Sequence, residues 1–188
     1  MFNILHFIKQ LFGRISVEQP TYKVLVTYNN FDIREYGPQI RATADNGGLT
    51  CGKGFKPLAG YIFGREQDQD DKERIGMTAP VVTTKNSMSF IMPSRYKNKE
   101  DLPKPKQEVK LVSLDTTIVA AKRFSGIATE DSTHSQLETL KLQLKEQGIA
   151  YDTTDYLYRY NPPHTLPFLR RNEAVVVLKT TKSKFNFS

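Results

Sequence analysis

The chain has 188 residues, a single cysteine, and 27 Lys+Arg against 20 Asp+Glu, for a formal charge of +7. That length supports one domain with a real core. Lone Cys51 excludes an intrachain disulfide framework and a cysteine-based metal site, and it fits a reducing, cytoplasmic compartment. The cations are scattered and carry no motif of a nucleic-acid reader, so no nucleic-acid partner is expected. Attraction to an anionic small molecule or lipid surface suits this spread better.

Met1 to Ile15 is apolar, interrupted by Lys9 and Arg14. It is shorter than the roughly 20 residues of a spanning helix and lacks a clear small-residue cleavage site. Residues 1–19 therefore read as an amphipathic N-terminal segment that rests on a membrane or docks on its own domain; a cleaved signal is the less favoured alternative. Pro20 separates this segment from a domain over 20–188, and the barrel is expected to stand without residues 1–15.

Tyr22 to Tyr28 alternates as a strand does, and Asn29-Asn30 signals a turn. Phe31 to Tyr36 is a second strand, and Gln39 to Ala44 a third after Gly37-Pro38. A helix is predicted over Thr50–Phe63, with Phe55, Leu58 and Ile62 at i, i+3 and i+7 on one face. Gly52, Gly54, Pro57 and Gly60 weaken it, so packing must hold it, and Gly64 supplies a left-handed stop. Arg65 to Arg74 is polar loop. Ile75 to Thr84 reads as a strand, and Pro80 within it suggests an edge or a bulge.

Ser87 to Met92, Val109 to Leu114 and Thr117 to Phe124 follow as strands. Ser132 to Gln147 is the clearest helix: Thr133 and Gln136 can form a capping box, Leu137, Leu140 and Leu144 make its buried face, and Gly148 can end it. Tyr156 to Tyr160 and Ala174 to Thr180 are the last strands. Strands, helix, two strands thus occurs twice, in Tyr22–Met92 and Val109–Thr180. The order does not alternate regularly, so the pattern implies an α+β fold with an antiparallel sheet curled into a barrel and two helices outside. A groove between helix and sheet is the natural ligand site.

Several pieces resemble the SOUL family of haem-binding proteins: Phe31-Asp-Ile-Arg-Glu-Tyr36, Phe55-Lys-Pro-Leu-Ala-Gly-Tyr-Ile-Phe-Gly64, Ile75-Gly-Met-Thr-Ala-Pro-Val81, Ser89-Phe-Ile-Met-Pro93, Tyr160-Asn-Pro-Pro163 and Arg170-Arg-Asn-Glu173. They stand in family order. The resemblance implies a distorted antiparallel eight-stranded β-barrel flanked by two α-helices, with a pseudo-two-fold internal repeat, similar to the effector-binding domains of gyrase-inhibitor-like proteins. It also implies a non-enzymatic, monomeric protein that binds haem or another tetrapyrrole beside the first helix, as a carrier or buffer.

On that resemblance Phe55, Leu58, Ala59 and Ile62 would line the slot, and Lys53 and Lys56, with Arg65 further on, would meet the propionates. Some relatives have a histidine where this chain has Glu35, so His164 becomes the histidine candidate for an axial ligand, and haem held without a protein–iron bond is the alternative. Met77 reads as core. Gly52 and Gly60 stand where relatives carry basic residues, which motivates a second reading: a general effector-binding module for amphipathic molecules. An enzyme acting on a bound tetrapyrrole is a third. Arg34, Arg171 and Glu173 suggest a buried ion clamp rather than catalysis; no nucleophile–base arrangement or phosphate loop is present.

Overall fold

The computed structural model describes residues 9–68, 73–106 and 108–179. Among these residues nine strands form one antiparallel sheet: β1 (Tyr22–Thr27), β2 (Asp32–Tyr36), β3 (Gln39–Asp45), β4 (Val81–Thr83), β5 (Ser87–Ile91), β6 (Lys110–Leu114), β7 (Thr117–Phe124), β8 (Tyr151–Arg159) and β9 (Asn172–Leu178). Helix α1 (Phe55–Ile62) lies between β3 and β4, and α2 (Glu130–Glu146) between β7 and β8. The sheet order is β1-β2-β7-β9-β8-β4-β5-β3-β6. If β2 to β5 are exchanged with β6 to β9, the order from β2 to β6 reads the same from either end. The eight-stranded, two-fold arrangement is therefore present, with its axis between β4 and β8, and β1 is a ninth strand added at one edge.

Alternation along the strands sorts residues between two faces. One face is covered by the helices. Leu137, Leu140 and Leu144 of α2 pack on Ile33, Ala120 and Val176, and Leu58, Tyr61 and Ile62 of α1 pack on Ala42, Met88 and Phe90. The other face carries a third cluster of Tyr36, Val82, Val119, Tyr158, Tyr160 and Val175.

Four elements differ from the sequence expectation. Helix α1 begins at Phe55, not Thr50, because Gly54 is pressed against the sheet: a Cβ there would stand 2.8 Å from Met88 Cβ and 3.0 Å from the Asp45 carbonyl oxygen. Gly64 does end it, at φ 81°. Strand β4 starts only after Pro80 and is central, between β5 and β8; a central strand needs its N–H groups for both ladders, so pairing begins past the proline. Helix α2 is capped one turn earlier, where the Thr129 hydroxyl accepts from Ser132 N at 3.1 Å. Strand β8 starts at Tyr151, with an irregular register between Tyr151 and Asp155 that the polar run Asp152–Asp155 disguised as loop.

Residues 9–19 pack on the domain. Ile15 and Val17 join the third cluster. The Gln10 carbonyl accepts from the Thr165 hydroxyl at 2.7 Å, the Leu11 carbonyl from Leu166 N at 3.1 Å, and the Gly13 carbonyl from Asn161 Nδ2 at 3.1 Å. Glu18 bridges to Thr78. The boundary expected at Pro20 thus falls inside a continuous run of contacts; residues 1–8, including Phe2 and Leu5, lie outside the described residues. Among the described residues no helix is long and apolar enough to cross a membrane.

Deleting residues 1–15 is consequently expected to lower the unfolding free energy by about 2–4 kcal/mol, through lost Ile15 burial and the lost hydrogen bonds of Thr165, Leu166 and Asn161 to residues 10–13. Phe12 is 64% exposed, and Phe12→Ser should cost less than about 0.5 kcal/mol. Urea denaturation of both variants checks this; an unchanged midpoint for the deletion would return the segment to the dispensable class.

Candidate ligand-binding site

Helix α1 shows two different apolar faces. Leu58, Tyr61 and Ile62 are buried against the sheet. The Tyr61 hydroxyl donates to the Pro103 carbonyl at 2.7 Å, and burial pushes its pKa well above the ordinary phenol value. Buried Gln67 donates to the carbonyls of Tyr61 at 2.8 Å and Glu73 at 2.7 Å, which ties down the chain that leaves the helix.

The second face is open. Phe55, Ala59 and Phe63 fall at i, i+4 and i+8, hence one above another. Phe55 is 48% and Phe63 57% exposed, with half-buried Ala59 between them. Phe55 is steadied by an edge contact to Phe90 at 5.5 Å between centroids. Small side chains between two aromatic rings leave a shallow, flat strip. A Cβ on Gly60 beside it would come within 2.7 Å of Glu66 Cγ, so the Glu66 side chain would have to shift. Lys53, Lys56 and Arg65 are exposed around the strip. Cys51, just before the helix, is held below the usual thiol range by backbone N–H bonds from Lys53 and Gly47.

The residues expected to form the slot therefore divide. Lys53, Phe55, Lys56 and Ala59 gather on the open side of α1, whereas Leu58 and Ile62 face the core. Met77 packs against that same core cluster. His164 sits in the exposed loop after β8, with Nε2 3.0 Å from Gln10 Oε1. Phe63 was missed in the sequence, although its spacing of eight from Phe55 marks the same face. Among the described residues no group of three or more His, Cys, Asp or Glu side chains is placed to hold a metal ion.

Two cavities lie away from α1. One of about 420 Å³ is bounded by Glu18–Thr21, Gly37–Ile40, Ile91–Lys97 and Ser113–Asp115. The other, about 530 Å³, lies at the β1–β2 hairpin. Its floor is the ion clamp read from the sequence. Arg34 Nη1 donates to Glu173 Oε2 at 2.9 Å, and Arg171 donates to Oε1 through Nε at 3.0 Å and Nη2 at 2.7 Å. Two partners were not foreseen: Asp32, which accepts from Arg34 Nη2 at 2.9 Å, and the Tyr160 hydroxyl, which donates to Glu173 Oε2 at 2.9 Å. Burial alone would lower the Arg34 pKa, but Glu173 and Asp32 outweigh it and raise it. Burial, reinforced by Glu173, drives the Tyr160 pKa far up.

This architecture has solved counterparts. A hydrolase from Listeria innocua superposes with a TM-score of 0.55 at 12% identity, covering 82% of this chain and 94% of that one. The C-terminal domain of EcmrR gives 0.57 at 10% identity, covering 85% and 99%. At those identities the likeness speaks for the fold alone. Human Heme-binding protein 2 is 28% identical over 172 residues, 84% of this chain and 82% of that protein. The sequence profile of the SOUL heme-binding proteins matches residues 17–177, nearly the whole described domain, and the chain belongs to that family.

Proposed function

We propose that this protein binds haem or a related tetrapyrrole reversibly on the open face of α1, as a carrier or buffer and not as a catalyst. The observation that carries the site is the exposed Phe55–Ala59–Phe63 strip with Lys53, Lys56 and Arg65 around it. A tetrapyrrole is a flat apolar plate with two propionates on one edge. It needs a flat apolar support and cations at its rim, and this face supplies both. Family membership and the similarity to human Heme-binding protein 2 support the same ligand class.

In this reading Phe55 and Phe63 support the ring, Lys53 and Lys56 meet the propionates, and Leu58 and Ile62 hold the helix in place from below. When bound, haem would supply an iron centre. His164, the histidine expected to meet the iron, would have to do so from the loop after β8, where its ring contacts Gln10; binding without a protein–iron bond is the alternative.

Hemin titration should give a saturable Soret shift with micromolar affinity. Lys53→Glu with Lys56→Glu, or Phe55→Ser with Phe63→Ser, should weaken it about tenfold, the loss of roughly 1.4 kcal/mol. Bound hemin should also slow alkylation of Cys51. A flat titration with folded protein, or unchanged affinity in both double variants, overturns the reading. The 420 Å³ cavity, which no α1 residue lines, favours one alternative, a general effector-binding module for amphipathic molecules. Tetraphenylphosphonium binding as tightly as hemin and competing with it would favour that alternative.

A further inference from the structure

The cavity of about 530 Å³ at the β1–β2 hairpin is lined by Arg34, Arg123 and Arg171 together with Asp32 and Glu173. Three guanidinium groups against two carboxylates leave one positive charge in excess. The excess resides on Arg123. In the β7–β9 ladder Arg123 stands directly opposite Glu173, where a cross-strand ion pair would normally form. Glu173 is not free to form it. Its Oε1 is taken by Arg171 and its Oε2 by Arg34 and Tyr160. Asp32 is engaged by Arg34. Arg123 is exposed, and its side chain makes no hydrogen bond or ion pair to another described residue. The clamp also leaves donor capacity unspent, because the buried Arg34 Nε has no partner.

Two tyrosines stand in a mostly polar lining. Tyr22 and Tyr28 line the cavity; the Arg34 guanidinium stacks at 4.6 Å from the Tyr22 ring centroid, and Tyr28 stacks on Phe31 at 4.5 Å. These contacts preorganise the walls, which lowers the entropic cost of binding. The volume lies in the range of small-molecule sites and far exceeds one ion.

We propose that this cavity binds a small organic monocarboxylate with a flat apolar body, at a site separate from the α1 face. The carboxylate meets Arg123 and Arg171 above the Glu173 clamp, and the ring lies against Tyr22 and Tyr28. A single negative charge matches the surplus; a phosphate dianion overshoots it and has no body for the two tyrosines.

The test is amide-resolved NMR titration of the full chain with sodium benzoate, benzylamine and inorganic phosphate. Benzoate should produce saturable shifts at Tyr28–Asp32 and Arg123. Benzylamine, similar in body and opposite in charge, should produce none, and phosphate should bind more weakly. Arg123→Gln, at an exposed position, should weaken benzoate about tenfold and leave hemin affinity unchanged. Non-saturating benzoate shifts, equal binding of benzylamine, or unchanged benzoate affinity in Arg123→Gln overturns the proposal. Competition between hemin and benzoate overturns the separateness of the two sites. Loss of hemin binding alone leaves this site standing, so the two readings fail independently.

Discussion

Glu173→Ala is expected to cost about 3–5 kcal/mol of stability, the range for removing one partner from a buried ion cluster. The Glu173 side chain is fully buried and the Arg34 side chain only 5% exposed. Without the carboxylate, Arg34 retains Asp32, but Arg171 loses both of its bonds to Glu173 and the Tyr160 hydroxyl loses its acceptor. Such a loss is a large part of the roughly 5–15 kcal/mol that holds an ordinary domain together. Urea denaturation of the ligand-free protein measures it. A triple variant with Glu173→Leu, Arg34→Met and Arg171→Met should recover much of the deficit, because the cost lies in orphaned charge and not in lost packing. If Glu173→Ala lost less than about 1 kcal/mol, the cluster would not be a buried clamp in solution.

Alkali should unfold the protein steeply. Tyr36, Tyr61 and Tyr160 are each at most 5% exposed, and burial, the largest cause in each case, raises all three pKa values well above the ordinary phenol range. The folded state therefore keeps protons that the unfolded chain releases above about pH 10. The stabilisation is complete below that pH and is lost as the pH rises towards the folded-state pKa values. Each tyrosine contributes a slope of about 1.4 kcal/mol per pH unit, so three together give about 4. Cooperative unfolding should occur within about two units above pH 10, with tyrosinate absorbance at 295 nm rising in the same transition. Gradual tyrosinate absorbance in a chain that stays folded would show that these hydroxyls reach solvent. Tyr61→Phe should shift the midpoint to higher pH, with its lost bond to the Pro103 carbonyl costing about 1 kcal/mol at neutral pH.

The ion clamp illustrates how far a linear reading reaches. Arg34 stood out as a cation within a strand, and Arg171 and Glu173 as charges just before the last predicted strand; pairing on burial is what that setting demanded. Tyr160 and Asp32 did not stand out, because a hydroxyl or carboxylate beside a turn is ordinary. Arg34 and Glu173 are 139 positions apart, and which groups complete their bonds follows from strand register. Arg123 shows the same limit from the other side. In sequence it is one more surface cation; its lack of a partner follows from the prior occupation of both Glu173 oxygens.

Local pattern determined the elements themselves. The alternation of β1, the Leu137–Leu140–Leu144 face of α2 and the left-handed stops at Gly64 and Gly148, with φ of 81° and 62°, depend on neighbours a few residues away, so the linear chain contains their causes. The repeated strand–helix–strand order likewise carried the two-fold plan and the family likeness. Tertiary structure decided the rest. Helical spacing marks Phe55, Leu58 and Ile62 as one stripe, yet a sheet can cover only part of a short helix, and Leu58 and Ile62 were covered while Phe55 stayed 48% exposed. Gly54 sets the start of α1 through contact with Met88 and Asp45, and Pro80 sets the start of β4 because that strand is flanked on both sides. In each case the deciding atoms are distant in sequence, and only the folded sheet brings them within range.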